Sequence, residues 1–415
     1  MMSAIALSEL LGAPVLDPGG SPQGRVREVA VCPSTDPARV CGLVVRTRRG
    51  DCMLSPEQLA EIGGKAVQAS VPAEKWEPFT SAERLLLLGR DLLDQQIIDV
   101  HGRKVVRVND LDFYSEQVNQ HLVLKVGDVD VGARGAVRRL LKGIVPSGAV
   151  RALTRKLPAR AIPWEFVDLI ETDPARRVKL KIEHERLAKL HPADIADIVE
   201  ELAPAEREAV FETLDEEVAA EALEEVAPKL QRSIVESLDS ERAADIVEEM
   251  HPDAAADLLA DLPKEQSEKI LEEMEPEERQ EISGLLEFEE DTAAGRMTTD
   301  YLALPPTATV NEAIEALRKF EGGIESVSTI FIVDKDNKLL GAVPLAKLVL
   351  ASSETPLATL APQPPISCHA GASEKQVADL FDKYNLLMLP VVDDQGVLTG
   401  VITSDDVISI LRSKL

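Results

Sequence analysis

The chain has 415 residues, 45% of them apolar but only 3% aromatic, and a formal net charge of −28. That apolar content excludes a disordered chain and predicts two to four domains with cores of Leu, Val, Ile and Ala, while the acidic balance excludes bulk nucleic-acid binding, which needs the opposite sign. No apolar run approaches the length of a membrane span and the N-terminus lacks a basic-then-apolar signal, so a soluble, cytoplasmic protein is expected. Cys32, Cys41, Cys52 and Cys368 show no C-x-x-C spacing and read as thiols of a reducing compartment rather than zinc ligands.

The first 180 residues predict short strands between turns. Val26–Val31, Val40–Thr47 and Asp51–Leu54 are separated by turn signals at Pro18–Pro22 and Arg49-Gly50. The pattern recurs: Leu10–Asp17 with Gly24-Arg-Val resembles Leu92–Asp99 with Gly102-Arg-Lys, and Leu54–Ile62 echoes Ile162–Ile170. Two small β-barrel modules are predicted, residues 1–82 and 83–175. A Leu-Asp-x-x-Gly turn before a strand pair, closing on Ile162-Pro163-Trp164, resembles the PRC-barrel family over residues 1 to about 172.

An insertion at 133–161 interrupts the second copy. It carries Arg134, Arg138, Arg139, Lys142, Arg151, Arg155, Lys156 and Arg160 with no acidic residue between Asp130 and Glu165. Two short basic amphipathic helices are predicted there. They could dock on an acidic partner, lie on an anionic membrane surface, touch RNA, or simply pack one apolar face on the barrel.

From Leu190 to Leu286 an apolar residue returns every twelfth position: Leu190, Leu202, Leu214, Val226, Leu238, Met250, Leu262, Met274, Leu286. Each is followed by a polar opener, often with proline, as in His191-Pro192, Ala203-Pro204 and His251-Pro252. Proline suits the first turn of a helix and cannot continue the previous one. Helices of two to three turns are not stable alone, so the reading is an α-helical solenoid over 183–290 in which neighbours share a core. Residues 191–290 hold 33 acidic and 7 basic side chains, a net of −26, which opposes compaction unless a cation or basic partner is present.

After the junction Asp291-Thr-Ala-Ala-Gly-Arg-Met297 a second duplication has a step of 59, aligning Phe331–Val343 with Pro390–Ile402. Each copy is predicted as β-α-β-β-α, with Thr309 and Ser373 as helix N-caps. The pair resembles tandem CBS domains, residues 297–361 and 362–415. The run Gly400-Val-Ile-Thr403-Ser-Asp-Asp406 fits that family's G-h-h-T-x-x-D pattern, which implies adenine-nucleotide binding through Gly400, Thr403 and Asp406. The first copy has Pro344 and Lys347 in place of the hydroxyl and carboxylate.

Helical repeat, junction and CBS pair in that order resemble the cytosolic region of MgtE-type magnesium transporters. The resemblance makes the whole a multidomain α+β protein and implies Mg²⁺ held between the acidic helices and the CBS pair. Carried across residue by residue, the metal positions are Glu221, Asp253, Asp257 and Asp406, whereas Ser373, Lys375, Asn385 and Ser409 stand where the transporters tend to have carboxylates. No catalytic set is legible, and His191 and His251, beside prolines at helix starts, read as caps or surface residues. The expected function is that of a soluble Mg²⁺-responsive regulatory or scaffold protein. The alternatives are a transporter or transporter subunit whose pore is absent from this chain, and an adenine-nucleotide-sensing adaptor. A homodimer is expected through the CBS pair, with Val377–Phe381 and Val407–Leu411 as the apolar outer face.

Overall fold

The computed structural model describes residues 4–33, 36–63, 66–82, 84–118, 121–141, 160–170, 186–289, 291–320, 327–361 and 365–413. It forms two compact units, Met1–Val218 and Ala219–Leu415. The architecture is mixed α+β: a β-rich N-terminal region, a run of short helices and a pair of three-stranded domains.

In the first unit the two β-copies correspond, the pair Val29↔Leu43 in one matching Leu111↔Val129 in the other, an offset of 82 in the first strand of the hairpin and 86 in the second. They are not separate barrels. Strands Asp36–Thr47 and His121–Asp130 join at Arg39↔Lys125 into one twelve-stranded sheet, and a single apolar core draws Val29 and Leu43 from one copy and Leu111 and Phe113 from the other. The first strand of each copy is exchanged: Ile5 pairs with Phe113 of the second copy, and Leu86 pairs with Val31 of the first. The helical turn after each exchanged strand is held by a carboxylate of the opposite copy. Ser8 N–H donates to Asp110 Oδ1 at 3.0 Å, and Gly89 N–H donates to Glu28 Oε2 at 2.9 Å. Neither copy can complete its core alone, so the division at residues 82/83 marks the duplication and not two independent folds.

The basic insertion begins with helix Ala133–Leu140, and here the structure departs from an open cationic face. Arg138 reaches Asp110 at 2.9 Å, Asp112 at 3.1 Å and Asp130 at 3.5 Å, while Arg139 pairs with Asp94. Those two arginines neutralise the β-region's own carboxylates, because Asp110 and Asp130 are buried and need a counter-charge. Lys142, Arg151, Arg155 and Lys156 lie outside the described residues.

Helices then start at Pro192, Pro204, Glu216, Pro228, Ser240, Pro252, Lys264 and Pro276. Leu202, Leu238, Leu262 and Met274 are the C-caps, extended in backbone and buried in side chain. The next residue is also extended, as proline favours for Ala203 and Glu275 before Pro204 and Pro276, so each helix stops and the next restarts. The boundary between compact units falls inside the helix Glu216–Glu225, not at the start of the repeat. The reason is local: helix Pro192–Glu201 covers the edge strand Lys104–Arg107, with Arg103 paired to Asp194 at 2.8 Å and Val105 N–H donating to Glu201 at 3.0 Å. In the second unit alternate helices pack, Pro228–Ser237 on Pro252–Asp261 and Ser240–Glu248 on Lys264–Glu273.

The C-terminal pair repeats at the step of 59, with Thr329–Val333 and Leu339–Pro344 matching Met388–Val392 and Leu398–Thr403. Asn337 and Gly396 hold the same left-handed hairpin position, φ 56° and 78°. There the copies bond reciprocally: Leu339 N–H to Gly396 O at 3.0 Å, Leu398 N–H to Asn337 O at 2.9 Å. Among the described residues no helix is long and apolar enough to cross a membrane.

Candidate functional site

Helix Pro252–Asp261 opens on His251 and presents Asp253 in its first turn. Asp406 stands in the first turn of helix Ser404–Ser413, at the end of the last strand. Both are in the second unit, and the fold brings them to bear on one another. Burial pushes the Asp253 carboxyl up to about 7, and the charge of Asp406 is the next contribution. Burial likewise pushes Asp406 up to about 6, although Thr403 N–H and Oγ1 each donate to its Oδ2 at 2.7 Å and oppose the rise. Each carboxylate is thus costly to ionise here without a nearby positive charge.

One such charge is His251. Its backbone N–H donates to Glu224 Oε1 at 2.7 Å and its ring Nδ1 meets Glu224 Oε2 at 2.8 Å. That hydrogen bond holds the imidazole up at about 9 against its burial, with Glu224, Asp253 and Asp300 adding to the rise, so the ring is a cation at neutral pH. A cap role holds for His191, whose Nδ1 accepts from Ala193 N–H, but His251 is part of the charged cluster. Glu224 was missed as a partner. The signal lay in the repeat, because Glu248 accepts from Glu275 N–H with the same spacing of 27 residues.

Asp257, one turn beyond Asp253, meets a cation instead. Arg296 Nη1 lies 2.8 Å from Asp257 Oδ2, and its Nε lies 3.1 Å from the buried Glu374. Arg296 is the only basic residue between Glu287 and Met297, which was its sequence signal. Glu221 is exposed on the helix that carries Glu224. Among the described residues no group of three or more His, Cys, Asp or Glu is placed to hold a metal. Ser373 and Asn385, which stand where the resemblance implies carboxylates, serve the helix Glu374–Tyr384 as a boxed N-cap and a left-handed C-cap.

The nucleotide signature is arranged differently from the expectation. Gly400 is packed closely on the segment entering the first copy: a Cβ there would stand 2.6 Å from Met297 Sδ and 2.9 Å from Thr298 O. The glycine lets the segment entering the first copy pair with the second, Thr298 N–H donating to Val401 O at 2.8 Å. Thr403 and Asp406 bond each other, and in the first copy Lys347 Nζ donates to Leu360 O at 3.0 Å. A cleft of about 580 Å³ lies elsewhere in the second copy, lined by Cys368, His369, Gln376, Asp379, Leu380 and Lys383 among others.

Residues 190–291 match the MgtE intracellular N domain, and residues 293–354 and 359–413 match the CBS domain. The chain is similar to the magnesium transporter MgtE of Thermus thermophilus, 33% identical over 136 residues, which are 33% of this chain and 30% of that protein. It is similar to the magnesium transporter MgtE of Enterococcus faecalis, 31% identical over 134 residues, 32% of this chain and 30% of that protein. The match therefore spans less than a third of these relatives. Two solved structures superpose on 56% of this chain. One, the soluble part of a magnesium transporter, has a TM-score of 0.53, 28% identity and 91% of its own length covered. The other, the cytosolic domain of the Mg²⁺ channel MgtE in complex with ATP, has a TM-score of 0.52, 31% identity and 94% of its length covered.

Proposed function

Because residues 190–291 are an MgtE intracellular N domain followed by a CBS pair, the arrangement of the cytosolic part of MgtE transporters, we propose that this chain is a cytoplasmic, non-catalytic Mg²⁺-responsive regulator. Mg²⁺ bridges Asp253 of the helical domain and Asp406 of the second CBS domain. What supports the reading is that the charge of Asp406, from one domain, acts on Asp253, from the other, where burial raises both carboxyls. A hard cation takes oxygen ligands and keeps part of its water shell, so two carboxylates suffice, and Asp257, engaged by Arg296, is left out of the set. Affinity is set near the millimolar level, about 4 kcal/mol, because the ligands come from separate domains and the ion sheds water reluctantly.

Calorimetric titration of Mg²⁺ into the full chain is expected to give one weak binding event that Asp406→Asn removes. A wild-type chain that gives no heat at tens of millimolar Mg²⁺ sinks the reading. The solved relative with ATP favours a second ligand, an adenine nucleotide in the CBS pair. ATP titrated in the same way tests it, and no heat at millimolar concentration leaves the pair as a scaffold.

The partner reading changes with the structure. Val377 and Phe381 are core residues, whereas Val349 and Ile408, equivalent across the step of 59, are 83% and 63% exposed. Large apolar side chains exposed at symmetry-equivalent positions suit a contact between copies of the chain. Equilibrium sedimentation at tens of micromolar is expected to show a dimer, and Val349→Glu with Ile408→Glu a monomer. A monomeric wild type removes the claim.

A further inference from the structure

We propose that Arg296 is a tethered cation that keeps helix Pro252–Asp261 on the second CBS domain when no divalent ion is bound, leaving Mg²⁺ to act on the neighbouring pair Asp253 and Asp406 alone. The inference rests on the Mg²⁺ reading for the role of Asp253 and Asp406, and on geometry alone for the role of Arg296.

Asp253 and Asp257 are four residues apart on one helix, so they lie one above the other on the same face. Their receptions are opposite. Asp253 lies in the field of the Asp406 carboxylate, and Asp257 meets a guanidinium at 2.8 Å. The backbone under that guanidinium belongs to the CBS domain: Ala293 N–H donates to Ala372 O at 2.7 Å and Ala294 N–H to Ala370 O at 2.9 Å. Thr292 bridges Ser373, the N-cap of the helix whose first residue, Glu374, takes the other edge of the arginine at 3.1 Å. Arg296 is therefore fixed on one side by backbone and by a buried carboxylate, and it offers its remaining edge to the helical domain. A guanidinium stays charged at every physiological pH and grips two carboxylates in one plane, which an ammonium cannot do. The contact needs neither ion nor proton. The acidic surface thus has a permanent attachment one helical turn from a conditional one, and loss of Mg²⁺ loosens the Asp253 end without releasing the Asp257 end.

The test is the initial rate of cleavage by a glutamate-specific protease in the Glu287–Met297 junction of the full chain. When reclosing is fast, this rate follows the open population. In EDTA, Arg296→Gln is expected to be cut about 5-fold faster than wild type, the order set by one partly exposed charged pair. Asp257→Asn should give the same increase, and the double variant no more than either single one. Saturating Mg²⁺ should return Arg296→Gln most of the way to the wild-type rate. Wild-type cleavage of Arg296→Gln in EDTA overturns the proposal, and so do additive effects of the two substitutions. If Arg296→Gln does not fold by circular dichroism, Asp257→Asn reads the same contact from the helix side. A wild-type rate indifferent to Mg²⁺, with Arg296→Gln still fast in EDTA, keeps the tether and discards the Mg²⁺ reading.

Discussion

In EDTA, Asp253→Asn is expected to protect the Glu287–Met297 junction from protease as well as millimolar Mg²⁺ protects the wild type, and Mg²⁺ should add nothing further. The wild type itself should be cut about tenfold more slowly with Mg²⁺ than without, a difference of about 1.4 kcal/mol in the closed state. The cause is the like charge of Asp253 and Asp406 in a partly buried place, where burial is the largest contribution raising both carboxyls. An amide of the same shape removes that repulsion and the need for a bridging ion together. Molar NaCl should not replace Mg²⁺ in the wild type, because screening weakens the field between exposed charges but supplies no ligand-bound cation between two partly buried ones. If NaCl protects as fully as Mg²⁺, or if Asp253→Asn still needs Mg²⁺, the bridge is not at this pair.

Arg138→Met is expected to be the most damaging single substitution in the β-region, lowering its stability by about 3–5 kcal/mol and its Tm by about 10 °C. Arg138 is the shared partner of Asp110, Asp112 and Asp130, at 2.9, 3.1 and 3.5 Å, and Asp110 is fully buried. Its removal leaves three carboxylates crowded under the helix Ala133–Leu140. Burial already raises all three pKa values, and Arg138 opposes that rise. A carboxyl whose folded pKa lies above its unfolded value stabilises the fold fully below the unfolded value, and that contribution is lost as the pH climbs through the folded one. Without Arg138 the folded values climb further, so the variant's deficit should be largest at pH 8 and should narrow toward pH 5, more steeply than any change in wild type. Adding Asp112→Asn should recover part of the loss. A Tm within 2–3 °C of wild type at pH 8 would show that the arginine is dispensable, since about 1 kcal/mol corresponds to that shift.

What could be read from the chain before folding was whatever repeats at short range. Prolines at 192, 204, 228, 252 and 276 stand at helix starts because a pyrrolidine ring fits the first turn and forbids the turn before it. The step of 59 set the strands of the CBS pair, and the Asn337 and Gly396 hairpins follow from residues that accept a left-handed backbone. The acidic identity of the site was equally legible, since Asp253, Asp257 and Asp406 are visible as carboxylates in known registers.

Partners were not legible, because a periodic pattern says that a face is apolar or acidic and not what will cover it. Val377 and Phe381 had the apolar spacing of an outer face and became core. Gly400 had the spacing of a ligand-facing glycine and accommodates Met297 from a segment 103 residues earlier. Arg138 and Arg139 had the look of a cationic surface and are held by aspartates from other strands. Asp253 and Asp257 make the same point within one helical turn. Their spacing of four residues puts two carboxylates on one helical face. Which of them lies in the field of Asp406 and which pairs with Arg296 follows from packing, because electrostatic energy depends on distance through space, and the fold relates those groups across separations of 153 and 39 residues.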